Sequence, residues 1–61
     1  MNDRQYVLDE ARLCLWQARD WVRVDRELMA RAFVNDGLRL IRNYHDANAD
    51  ELRQALREAV R

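Results

Sequence analysis

From Asp3 to Asp36 the chain has neither proline nor glycine, and within it Leu8, Ala11, Leu15, Ala18 and Val22 recur at spacings of three and four. That spacing is the stripe of an amphipathic helix packing one face on a core. A second apolar set, Tyr6, Leu13 and Trp16, falls on the far side of the same helix. The first helix thus carries more apolar surface than its own packing needs. Three occupants could cover the surplus: another part of this chain, a second copy of it, or a foreign protein.

With 61 residues the chain is one domain at most. A domain of this size buries only about 60% of the surface its unfolded chain exposes, and small domains usually add disulfides, a metal or oligomerisation. Cys14 is the only cysteine and His45 the only histidine, so neither an internal disulfide nor an ordinary structural zinc site can form. Oligomerisation remains, and a homodimer is expected. No cofactor or metal is expected.

The chain has no serine, threonine or lysine, which removes most activated nucleophiles. Cys14 lies at the edge of the core stripe and reads as a small buried hydrophobe. His45 precedes Asp46 near a helix end, where a histidine serves the helix dipole. Catalysis is therefore not expected.

Eleven arginines balance eleven acidic residues, so no bulk charge draws the chain toward nucleic acid or an anionic membrane. Basicity by arginine alone points to a GC-rich coding sequence. No apolar run is long enough to span a bilayer and none has the form of a signal peptide. A cytoplasmic protein is expected.

Gly37 is the only glycine and proline is absent, which favours helix throughout. Asn2 or Asp3 can cap a first helix over residues 3–23. Asp25 has the character of the next N-cap, and a tight turn there fits the change in stripe phase, although a helix running straight through is also possible. Asn35-Asp36-Gly37 is a turn signal. Yet Met29, Phe33, Gly37, Leu40 and Tyr44 share one face if the helix continues, with Gly37 in a packing seam. A continuous second helix over residues 25–46 is favoured. Asn48 stands three before Glu51 as in a capping box, and Ala49, Leu52, Ala55, Leu56, Ala59 and Val60 form the apolar face of a third helix over residues 49–60. The fold expected is all-α, a three-helix antiparallel hairpin or bundle completed by homodimerisation.

Three surface constellations could carry function. Arg12, Trp16, Arg19 and Arg23 form a row at spacings of four, three and four, suited to nucleic-acid stacking and phosphate contact or to an acidic protein surface. Asp9 and Asp20 can instead pair with Arg12 and Arg23 along the helix. Arg53, Arg57 and Arg61 make a ridge that also suits a helix C-terminus, and Asp46, Asp50 and Glu51 an acidic corner that also suits a helix N-terminus. Trp21 flanks the core stripe and reads as structural. Ala32 to Leu38 has some character of a helix-turn-helix, but its glycine falls five residues after Ala32 rather than four, and the charge is neutral.

In architecture the helical hairpin is somewhat similar to small dimeric RNA-binding proteins of plasmids. In general character, by its small size, arginine-only basicity, lack of catalytic side chains and surplus helical surface, the chain resembles short phage-encoded inhibitors of the anti-CRISPR type. That resemblance implies a non-enzymatic inhibitor masking a host protein, such as a CRISPR effector subunit. Tyr6, Leu13 and Trp16 would then anchor the partner, and Arg12, Arg19 and Arg23 would orient it. A small nucleic-acid-binding regulator is the alternative.

Overall fold

The computed structural model describes residues 3–60 and contains three helices: α1 (Asp3–Arg23), α2 (Glu27–Leu40) and α3 (Ala47–Ala59). The stripe of α1 buries Leu8, Ala11, Leu15 and Ala18 as expected, while Val22, at its end, stays exposed. Asp3 is the first helical residue, and Asn2 lies outside the described residues.

Asp25 does not cap α2. It closes α1 in the left-handed region, at φ 61°. The amide of Asp25 donates to the carbonyl of Val22 at 3.0 Å and that of Arg26 to the carbonyl of Trp21 at 2.8 Å. These are the two bonds of a Schellman closure, whose left-handed position usually holds glycine. Aspartate is among the few other residues that tolerate it. α2 then begins at Glu27 rather than 25, behind Arg26, which makes no side-chain cap.

α2 runs unbroken through Asn35-Asp36-Gly37. Gly37 is buried in a seam: a Cβ there would lie 3.0 Å from both Leu56 methyls and 3.2 Å from Cys14 Cβ. The continuous helix excludes a helix-turn-helix bend at these residues. The buried face nevertheless differs from the expected one. It is Ala30, Val34, Gly37 and Ile41, whereas Met29 and Leu40 are exposed, and Phe33 and Tyr44 lie half-buried on the core's margin. Gly37 on this line lets α2 come close to Cys14 of α1 and Leu56 of α3.

α2 also ends at Leu40, not at residue 46. The guanidinium of Arg53 on α3 donates to the carbonyls of Ile41 and Tyr44, so the chain turns where those carbonyls can be satisfied from outside the helix. Asp46, not Asn48, is the N-cap of α3; its side chain accepts from the amide of Ala49 at 3.1 Å. The third helix accordingly starts two residues earlier than expected. Its face of Ala49, Leu52 and Leu56 is buried, with Ala55, Ala59 and Val60 beside it.

A short turn brings α2 back along α1, and α3 packs less extensively on both. The core is Leu8, Ala11, Leu15, Ala18, Ala30, Val34, Ile41, Ala49, Leu52 and Leu56. Four of these ten are alanines and none is aromatic. The molecule is long and thin, 36 × 20 × 13 Å. Leu8, Ile41 and Leu56 are its largest fully buried side chains, and several large apolar side chains are left outside.

Candidate protein-docking face

The outer face of α1 carries the largest of those side chains. Trp16 is 66% exposed, Tyr6 62% and Leu13 45%. No other part of the described chain covers this set. Helical periodicity places it there. Leu8, Ala11, Leu15 and Ala18 turn one side of α1 to the core, and Tyr6, Leu13 and Trp16 lie on the other side. Trp21, by contrast, packs half-buried against the core, in keeping with its flanking position.

Beside Trp16 lies an open depression of about 410 Å³ lined by Asp9, Arg12, Leu13, Leu15, Trp16 and Arg19. Arg12 and Leu15 also line a neighbouring groove that runs onto α3 at Asn48, Glu51, Leu52 and Ala55. A surface of indole, leucine and arginine stem continues along the flank of α1 into that groove. Such a surface can bury apolar area against another protein and orient it through guanidinium hydrogen bonds.

The arginines of the row are not equivalent. Arg12 pairs with Asp9 at 3.1 Å, and Arg23 approaches Asp20 at 4.0 Å. Among the described residues Arg19 makes no ion pair. All three are exposed. Acids interleaved with the arginines bring the face close to neutrality, which weakens it as a phosphate-binding surface.

Two other constellations have internal duties. Arg53 is only 16% exposed and is occupied by the α2 terminus and by Asp50 at 2.8 Å. The expected ridge of Arg53, Arg57 and Arg61 loses its first member, and Arg61 lies outside the described residues. In the acidic corner Asp46 caps α3 and accepts from Arg4, whose Nε lies at 3.1 Å and whose terminal nitrogen also donates. The bond from Arg4, then that from the Ala49 amide, hold the Asp46 carboxyl below its ordinary range. Glu51 lines the groove beside Leu52.

Burial, reinforced by the charges of Asp36 and Glu10, pushes the Cys14 thiol up, away from the thiolate form a nucleophile needs. His45 is exposed in the connection between α2 and α3. No group of three or more metal-ligating side chains occurs among the described residues. No described helix is long and apolar enough to cross a membrane.

One apolar patch escaped the sequence reading. Val22, Val24, Leu28 and Met29 are exposed around the α1–α2 turn, Leu28 at 85%. The signal was present in Val24 and Leu28 flanking Asp25, but it depends on where α2 begins.

Comparison with models of protein families, with curated proteins and with solved structures yields no match to this chain. Its class rests on the architecture: a small all-α domain of three helices with an uncovered apolar face on α1.

Proposed function

We propose that this chain is a non-enzymatic protein-binding module that docks through the outer face of α1, with Trp16, Tyr6 and Leu13 as anchors and Arg12, Arg19 and Arg23 orienting the contact. The observation that carries this reading is the exposure of Trp16, Tyr6 and Leu13 together on the face of α1 turned away from the core. Tryptophan, tyrosine and arginine are the side chains enriched at the energetic centres of protein interfaces. The general character shared with small phage-encoded inhibitors supports an inhibitory role, in which a host protein such as a CRISPR effector subunit is masked.

A nucleic-acid regulator is the alternative, and the interleaved acids on α1 together with the internal use of Arg53 count against it. A nuclease-treated pull-down from a GC-rich bacterial host carrying CRISPR systems, read by mass spectrometry against a Trp16→Ala control, separates the two. The reading expects one stoichiometric protein that survives nuclease and disappears with Trp16→Ala. Recovery abolished by nuclease, with affinity that falls steeply with salt, would contradict it.

A further inference from the structure

The exposed side of α1 has a seam of its own. Tyr6, Asp9, Leu13, Trp16, Asp20 and Arg23 follow one another at spacings of three, four, three, four and three, and all six are exposed. That is the heptad spacing of a helix meeting another helix. The apolar pair sits in the middle and charges lie on either side. Resting on the reading of this face as a protein-docking surface, we infer that its occupant, when no foreign partner is bound, is a second copy of this chain packed antiparallel along α1.

Self-complementarity is the argument. In an antiparallel pairing centred between Cys14 and Leu15, each Leu13 meets Trp16 of the second copy, giving a central apolar cluster of four side chains. One layer outward, Asp9 meets Asp20 of the second copy. Arg12 of the first copy and Arg19 of the second flank that layer, so each cluster holds two acids and two arginines. In the last layer Tyr6 meets Arg23 of the second copy, a cation–π arrangement. A parallel pairing would set Arg23 opposite Arg23 and would align the two helix dipoles unfavourably. The antiparallel one sets Arg23 opposite Tyr6 instead and opposes the two dipoles, while the facing acids Asp9 and Asp20 are offset by the flanking arginines.

Contact along one helix face falls at or below the lower end of stable interfaces, about 1,200 Å² in total, so a weak, concentration-dependent dimer is expected. A foreign target using Trp16 competes with it. The Val22, Val24, Leu28 and Met29 corner is left free at each end of such a pair.

Sedimentation equilibrium of the full chain, from about 1 µM to about 500 µM, covers the strength expected of so small a contact. The inference expects a monomer–dimer equilibrium that Leu13→Glu weakens by roughly 30-fold or more, the loss typical of an interface anchor. Should Leu13→Glu lose helicity, the exposed pair Arg12→Glu with Arg19→Glu serves the same purpose, and adding Asp9→Arg with Asp20→Arg restores the dimer. In a Cys14→Ala background, chains carrying Tyr6→Cys and chains carrying Arg23→Cys are expected to cross-link to each other. Monomer throughout, a dimer indifferent to these substitutions, or cross-links formed only between two chains that both carry Tyr6→Cys would overturn the inference. A monomer that still captures a foreign protein through Trp16 would overturn the second copy and leave the docking face standing. Loss of Trp16-dependent capture with the dimer intact would remove the foreign target alone.

Discussion

Gly37 lies beneath Leu56: a Cβ on this glycine would come within 3.0 Å of both leucine methyls. The contact joins α2 to α3, and Cys14 of α1 closes the same seam from the other side. All three helices therefore meet at a position where a side chain has no room. Replacing glycine by alanine favours an isolated helix by about 1 kcal/mol, while overpacking a tight core costs about 1–3 kcal/mol. Leu56 is fully buried and the Cys14 Cβ is close to backbone, so the cost wins. Gly37→Ala is expected to lower stability by about 1 kcal/mol and Tm by roughly 5 °C, read by thermal unfolding. Gly37→Leu is expected to prevent folding.

The opposite sign is expected at Asp25. Its left-handed backbone, at φ 61°, strains any residue with a Cβ, and the position terminates α1 in the way glycine usually does. Asp25→Gly is expected to stabilise the domain by about 1 kcal/mol, seen as a higher urea midpoint with unchanged slope. A lower midpoint would show that the aspartate side chain has a role in the turn beyond its backbone.

Arg53 joins α3 to the end of α2. It is mostly buried and donates to the carbonyls of Ile41 and Tyr44, the first of which also accepts from the Tyr44 amide at 3.0 Å. Hydrogen bonds from a charged donor contribute about 1.5–3 kcal/mol. Arg53→Ala is expected to cost about 2 kcal/mol in denaturant unfolding, whereas Arg57→Ala, on the exposed surface of the same helix, stays within about 0.5 kcal/mol.

Acid should loosen the contact between α1 and α3. The Asp46 carboxyl is held below its ordinary range by Arg4 and then by the Ala49 amide. A carboxyl depressed in the folded state adds stability above its unfolded pKa, near 3.9, and that stability is lost as pH falls through the folded value. Urea midpoints measured from neutral pH downward are therefore expected to fall in this acid window. Asp46→Asn keeps a cap acceptor but loses the charge, so its profile should be flatter. Parallel profiles for the two proteins would place the acid loss elsewhere.

Much of the fold was legible because α1 and α3 each have a clean apolar period, and their buried faces match it. The unbroken helix at Gly37 and its place in a packing seam were legible too, but the face of Met29, Phe33, Leu40 and Tyr44 that favoured them is not the buried one, since Met29 and Leu40 are exposed and Tyr44 lies beyond the end of α2. The ends of α2 were not. Its start depends on Asp25 adopting a left-handed backbone, which leaves no periodic trace. Its end depends on Arg53, twelve residues beyond Ile41, and such long-range satisfaction of carbonyls is invisible to local pattern. Asp46 was read as part of an acidic corner because a cap and a charge cluster look alike before the helix start is known. The face of Tyr6, Leu13 and Trp16 was visible as surplus, and the structure adds that nothing within the described chain covers it. The exposed corner around Leu28 was missed for the same reason as the start of α2.

The most direct test pairs stability with binding in one variant, Trp16→Ala. Its side chain is exposed and belongs to no part of the core, so the change is expected to leave stability within about 0.5 kcal/mol of the parent and helicity by circular dichroism unchanged, while partner capture is lost. A variant that unfolds, or one that stays folded and still captures the partner at parental strength, would contradict the assignment of this face to docking.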